Sequence, residues 1–285
     1  MSQFTDQTYL KGEQYRTPNN LNARIALHEL YSTAAVPWTT WIYQHLAVGA
    51  GQRVLAVGCG NATQWQDNAT LFPESAQFYL TDLSIGMLRA ARTGIGEADP
   101  RFHYFNSDAQ YLPFQDAQFD RVTANHMLYH VPTIELAVAA CARVLKQDGL
   151  FIAATNGAAH LADLHNLFEE FQPGFRKPAG DRRRFSLQNG WDYLTPRFAE
   201  VRLDRYESDL WVTDPQALVN YAFSMWDVED DISNQKAPAM RAFFEQKMAK
   251  EGGIGIRKET GVFLASHQPG MIDSLGILQA EQKLA

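Results

Sequence analysis

The sequence predicts an α/β fold, a doubly wound and mainly parallel sheet, on three observations. Five short strand-like runs alternate with helical patterns between Arg53 and Thr155, and such alternation gives parallel strands joined by right-handed crossovers. The first run ends in the glycine turn Gly58-Cys59-Gly60, the place where α/β proteins bind nucleotide-like ligands. Acidic residues close the second run at Asp82 and follow the third at Asp108.

Residues 1 to about 20 are polar, with a break at Pro18-Asn19-Asn20. From Leu21 a helix is predicted, because Leu21, Ile25, Leu27, Leu30 and Tyr31 recur at helical spacing. Val36-Pro37-Trp38 interrupts it, and a second helix carries Trp41, Ile42, His45 and Leu46 toward Gly49. The strands are then read as Arg53 to Val57, Gln77 to Thr81, Phe102 to Phe105, Phe119 to Ala124 and Leu150 to Thr155. Helices are expected over Thr63 to Phe72, Met87 to Thr93 and Ile134 to Lys146, the last two stopped by Gly94 and Gly149. Beyond Asn156-Gly157, His160 to Phe171 reads as a helix and Phe185 to Pro196 as a loop. Phe198 to Tyr206 alternates as a strand that can run on to Val212 through an irregularity. Asp214 caps the next helix, with Pro215 at its first position. Ala237 to Lys250 is a further helix, and Ile254 to Ser266 is the last strand region.

The 285 residues, 46% hydrophobic and 20% charged, suffice for one large core with insertions. A net charge of −7 argues against a dedicated nucleic-acid binder. The one basic run, Arg182-Arg183-Arg184, reads as a solvated loop. Cys59 and Cys141 form no metal-ligand spacing and no disulfide framework, so a reducing cytoplasm is the simplest compartment and no metal is expected. No signal peptide is visible in Met1 to Asp6, and no apolar run approaches the roughly 18 residues of a membrane span.

Taken alone, the glycine turn serves equally well as a tight connection. Asp82 stands 22 positions after Gly60, and a carboxylate about 20 residues beyond such a turn is placed to accept hydrogen bonds from ribose hydroxyls. A side-chain acceptor at Asp108 can reach an adenine amine in the same crevice.

Four blocks then resemble the class I S-adenosylmethionine-dependent methyltransferases, nearest the small-molecule branch of the ubiquinone/menaquinone type. They are Val54 to Gly60, Thr81 to Leu88, Asp108 to Phe114 and Ala142 to Leu150, in the family's order and spacing. The resemblance covers about residues 50 to 156, over a third of the chain. It implies a seven-stranded Rossmann-like sheet of order 3-2-1-4-5-7-6 with strand 7 antiparallel. Residues 1–48 become an N-terminal helical cap, and 49–156 the cofactor-binding core, completed by strands near 198–212 and 254–266. Residues 157–197 and 213–253 become a substrate cover, and 267–285 a tail.

The resemblance also assigns roles. Gly58 and Gly60 lie along the methionine part of the cofactor, Asp82 takes the ribose hydroxyls, Leu83 lies beside the adenine, and Cys59 and Met87 are further cofactor contacts. Asp108 and Ala109 meet the adenine amine, and Asn125 faces the methionine amine. The family usually has Asp or Glu where Ala56 stands, and often glycine where Ala62 stands. A missing charge-assisted hydrogen bond is worth about 1.5–3 kcal/mol, roughly tenfold to a hundredfold in affinity, so Ala56 predicts weakened cofactor binding.

The implied reaction moves a methyl group from S-adenosyl-L-methionine to oxygen, nitrogen or carbon of a small, partly apolar acceptor, leaving S-adenosyl-L-homocysteine. His126, just after strand four, is the candidate general base, because an imidazole titrates near working pH. It serves equally as a residue that shapes the turn. His130, His160, Trp211 and Tyr221 are candidate acceptor contacts. The cover's aromatics (Phe168, Phe171, Phe175, Trp191, Trp211, Tyr221, Phe223, Trp226, Phe243 and Phe244) fit a moderately apolar substrate, though most must pack the cover itself. The enzyme is expected as a monomer or homodimer. Two other readings stand: a protein that binds S-adenosylmethionine or S-adenosylhomocysteine without turnover, and an RNA methyltransferase.

Overall fold

Seven strands make one twisted sheet with helices on both faces. The computed structural model describes residues 5–9, 19–96, 99–174, 184–224 and 230–277. A short turn of helix, α1 (Gln7–Tyr9), is followed by α2 (Asn19–Tyr31) and α3 (Trp38–Leu46). Then come β1 (Arg53–Val57), α4 (Thr63–Asp67), β2 (Gln77–Asp82), α5 (Ile85–Ile95), β3 (Phe102–Asn106) and β4 (Phe119–Thr123). After α6 (Ile134–Val144) the chain makes β5 (Leu145–Asn156), α7 (Ala162–Phe171), α8 (Gly190–Leu194), β6 (Glu200–Arg205) and β7 (Leu210–Val212). It finishes with α9 (Pro215–Ser224), α10 (Asp230–Met248), β8 (Ile254–Ile256), β9 (Thr260–Ser266) and α11 (Met271–Ser274).

The sheet order is β3-β2-β1-β4-β5-β9-β6. β9, seventh in chain order among these strands, runs antiparallel to both β5 and β6. This is the predicted topology. Alternate residues divide between two cores, as the period of two requires. Leu55, Val57, Phe151, Ala153 and Phe263 join the core under α6 and α8. Val54, Ala56, Ile152, Ala154 and Leu264 join the core under α3, α4 and α5. A third core, with Leu27, Phe168, Leu218, Met240 and Phe244, holds α2, α7, α9 and α10 together. Beneath α3, the His45 ring sits between the Trp41 carbonyl (2.8 Å) and the buried Asp204 carboxylate of β6 (2.7 Å). No helix among the described residues is long and apolar enough to cross a membrane.

Several boundaries differ from expectation, each for a local reason. The helix expected over Thr63 to Phe72 ends at Asp67, where the Asn68 side chain donates to the Gln64 carbonyl (2.8 Å) and competes with the helical ladder. Gly94 lies inside α5, where the Gln66 amide packs against it, and the helix runs on to a Gly96 cap. Gly149 does not stop α6; Leu145 is already extended and pairs with Phe119, so Gly149 falls within β5. The region read as a loop, Phe185 to Pro196, holds the short helix α8, with the Phe263 ring against Gly190. Leu30, predicted on a buried face, is 72% exposed.

Two strands break at one place. Phe198 to Val212 is not continuous, because residues 207–209 turn away to bond the end of α2: the Thr33 N–H donates to the Asp209 carbonyl, and the Asp209 N–H to Thr33 Oγ1 (both 2.9 Å). Ile254 to Ser266 likewise splits. The N–H groups of Arg257, Lys258 and Glu259 go to side chains, those of Asp163 (3.0 Å), Asp209 (2.9 Å) and His160 (3.2 Å), and so leave the sheet ladder. β7 and β8 pair with each other outside the main sheet.

Candidate functional site

A cavity of about 790 Å³ opens at the carboxyl ends of β1, β2, β3 and β4, within the usual range for small-molecule sites, roughly 300–1,000 Å³. One half is made mainly by backbone. β1 runs out through Gly58 and Gly60, at φ +66° and +57°, a region open chiefly to glycine. The Cys59 N–H donates to the Thr81 carbonyl at 2.9 Å and ties the turn to β2. Ala62 holds φ +61° at the same turn, at a strain cost of about 1 kcal/mol.

At the end of β2, Asp82 accepts the Gly60 N–H on Oδ2 (2.9 Å) and the Ser84 N–H on Oδ1 (2.8 Å). Each oxygen has a second lone pair, and Asp82 lines the cavity. Burial pushes the Asp82 carboxyl up from its usual range, opposed by those backbone N–H bonds. Ser84 caps α5 by accepting the Met87 N–H. After β3, Asp108 takes the Gln110 N–H on Oδ1 (2.9 Å) and the Gln7 amide on Oδ2 (2.7 Å), which brings α1 across this end. Asn125 is clamped between the Gln64 side chain and the Ala154 N–H. Gln64 Nε2 is buried at the cavity wall with no hydrogen-bond partner among the described residues.

The structure therefore brings Ala56, Gly58, Cys59, Gly60, Asp82, Leu83, Met87, Asp108, Ala109 and Asn125 to one cavity. The expected acceptor contacts His130, His160 and Tyr221 line it as well, as does His126. Trp211 does not: it stands in β7, 42% exposed, with its ring against Gly253. The cover's aromatics mostly pack one another. Phe168 meets Phe244, and Phe171 meets Phe243, and of the described ones only Tyr221 reaches the cavity. Phe175 and Trp226 lie outside the described residues, as do Arg182 and Arg183. Arg184 donates to the carbonyls of Val131 and Pro132, so it braces a loop.

His126 holds φ +54°, and its N–H donates to the Ala154 carbonyl. Its ring lies 5.2 Å from that of Trp38. Burial, with Lys258 nearby, pushes its pKa down to about 4, so the ring is neutral at pH 7. The neutral ring is a hydrogen-bonding group, its pKa below the working range in which an imidazole was expected to titrate.

The other half is made by side chains that sequence reasoning missed as site residues. Arg24, His28 and Glu29 come from one face of α2. Trp38 stacks on Trp41 (5.4 Å) and meets Tyr206 edge-on (5.1 Å). Lys258 and Thr260 come from the strand break after β8. The helical spacing of Arg24 and His28 and the charged triplet Arg257-Lys258-Glu259 inside an apolar strand region were the available signals. His160 Nδ1 accepts the Glu259 N–H, which leaves its ring proton on Nε2, and its ring stacks on that of His28 at 5.7 Å.

Comparison with known proteins bears on this geometry. Residues 55–153 match a family model described as a methyltransferase domain. The chain is 28% identical over 144 residues to a ubiquinone/menaquinone biosynthesis C-methyltransferase of Bartonella henselae, covering 49% of this chain and 52% of that one. It is 34% identical over 116 residues to a ubiquinone biosynthesis O-methyltransferase of Aromatoleum aromaticum, covering 40% and 48%. The chain thus spans about half the length of the curated relatives it matches. In fold it is similar to phosphoethanolamine N-methyltransferase 2 of Haemonchus contortus, solved with S-adenosyl-L-methionine (TM-score 0.56, 16% identity, 93% of this chain and 60% of that one). It is similar to the same degree to the cyclase SpnF (TM-score 0.54, 14% identity, 91% and 96%).

Proposed function

We propose, from the match of residues 55–153 to a methyltransferase domain, that the cavity holds S-adenosyl-L-methionine. The protein then moves a methyl group to oxygen, nitrogen or carbon of a small, partly apolar molecule. One observation carries the reading. The Asp82 carboxylate is fixed by the Gly60 and Ser84 N–H groups and faces the same cavity as the glycine turn and Asp108, the arrangement a ribose diol and an adenine require.

The residues present fit that cofactor. Asp82 would hold the ribose, Leu83 and Met87 the adenine faces, and Asp108 with the Ala109 N–H the adenine edge, in exchange for Gln7. Gln64 Nε2, buried and without a hydrogen-bond partner among the described residues, and the Arg24 guanidinium would supply donors for the methionine carboxylate on the side where Ala56 offers no acid. When bound, the cofactor supplies an electrophilic methyl group. The protein's part is orientation, exclusion of water and the handling of one proton. Neutral His126 accepts a hydrogen bond from the acceptor's O–H or N–H and aligns it. The wall of Trp38, Tyr206 and Tyr221 shapes the apolar side of the pocket.

Incubation with S-adenosyl-L-methionine and a panel of phenols, amines and carboxylic acids, read by mass spectrometry, tests this. The expected result is a product heavier by one methylene, with S-adenosyl-L-homocysteine formed in equal amount; cofactor binding with no product from any acceptor contradicts turnover. A second reading, binding without methyl transfer, is favoured by Ala56 in the place of the anchoring acid, and a cyclase shares the fold. The acidic chain and the loop-bracing Arg184 favour a small acceptor over RNA.

A further inference from the structure

Lys258 stands out in the acceptor half. Its Nζ lies 3.1 Å from Ser208 Oγ and 5.1 Å from the centre of the Tyr206 ring. It lines both the large cavity and a smaller polar recess beside it. Among the described residues no carboxylate lies within 4.0 Å of that nitrogen, although nine such ion pairs form elsewhere. Asp209, the acid whose field favours the ammonium, spends Oδ1 on the Lys258 backbone N–H. Desolvation pulls the Lys258 pKa down to about 8. A half-buried ammonium with no carboxylate in direct contact favours an anion beside it, and three backbone N–H groups are drawn out of the sheet where it stands.

We propose that Lys258 is the anchor for a carboxylate on the methyl acceptor, so that the substrate is a small aromatic or partly apolar carboxylic acid. The inference rests on the methyltransferase reading and names its substrate class. The Tyr206 ring lies against the ammonium, and Trp38 and Tyr221 line the same cavity with flat apolar surface. The charge is a single one: Glu207, Asp209 and Glu259 line the same recess and oppose a dianion such as a phosphate monoester. Lys258 also acts on His126 through its field, so an anion seated there lies near the group proposed to align the acceptor.

Titration calorimetry with benzoate, benzamide and phenyl phosphate, with and without saturating S-adenosylhomocysteine, tests the assignment. Benzoate should bind the unmodified protein about tenfold or more tighter than either analogue. Lys258→Met should erase that preference while binding S-adenosylhomocysteine within about threefold of the original, and Lys258→Arg should keep part of it. Equal binding of benzoate and benzamide, no binding of benzoate by protein that binds S-adenosylhomocysteine, or a preference that survives Lys258→Met overturns the proposal. A benzoate preference without any S-adenosylhomocysteine binding keeps the anchor and contradicts the methyltransferase reading instead.

Discussion

The two halves of the cavity are built in different ways. On the Asp82 side, one continuous stretch of β1, its glycine turn and the ends of β2 and β3 supply nearly every group, and most of them are backbone N–H donors or the acids they fix. On the Lys258 side, side chains arrive from α2, α3, Tyr206, α9 and the break between β8 and β9. The first half is a property of the sheet and changes little without breaking it. The second is an assembly of separate segments, so it can vary while the sheet stays the same. Proteins sharing this fold carry names as different as methyltransferase and cyclase, and function lives in the grafted site rather than the fold.

The largest expected effect separates the halves. Asp82→Ala removes the acceptor for a ribose diol and leaves the Gly60 and Ser84 N–H groups without their carboxylate. S-adenosylhomocysteine affinity, measured by calorimetry, should fall about a hundredfold or more, while benzoate binding in the absence of that ligand is retained.

Asp204→Ala strikes the foundation of the acceptor half. It leaves the buried His45 ring without its partner at 2.7 Å and loosens α3, which carries Trp38 and Trp41. Stability by urea unfolding should drop by about 2–4 kcal/mol. Binding of S-adenosylhomocysteine to the molecules still folded should change little; a drop in affinity as large as that of Asp82→Ala would erase the distinction between the halves.

Acid should act through His126. Its pKa of about 4 lies below the ordinary 6.5, so between those values the unfolded chain binds a proton that the folded chain rejects. The His126 contribution is complete above pH 6.5 and is lost as pH falls toward 4, on the order of 3 kcal/mol. His126→Asn, which tolerates the left-handed backbone at φ +54°, should flatten that slope in pH-dependent urea titrations; an unchanged slope would remove His126 as its source.

The smallest effect is at Ala62. Glycine there relieves the φ +61° strain and should stabilise the fold by up to about 1 kcal/mol in the same unfolding experiment. A loss of stability would mean that the packing of the Ala62 methyl outweighs the strain.

What could be read from the chain follows the same division. The sheet order, which the resemblance implied, and the gathering of Gly58, Gly60, Asp82 and Asp108 at one cavity were legible because those residues sit in local motifs at fixed distances from one another. Lys258 was not, since nothing local says that its neighbours' N–H groups are claimed by Asp163, Asp209 and His160, up to about a hundred residues away. The aromatics of the insertions misled for a related reason. Phe168, Phe243 and Phe244 carry the same composition signal as a pocket wall but bury themselves in a third core, whereas Trp38 and Tyr206, which do line the cavity, come from segments read as cap and strand. The boundaries near Asn68 and Gly149 turned on a side-chain hydrogen bond and a strand register that helix periodicity does not encode.

We propose that the Asp82 half holds S-adenosyl-L-methionine although Ala56 places no acid there. Isothermal titration of the unmodified protein with S-adenosyl-L-methionine and S-adenosyl-L-homocysteine tests it most directly. Saturable one-to-one binding of both, weakened strongly by Asp82→Ala, is the predicted result; no binding of either at millimolar concentration would contradict it.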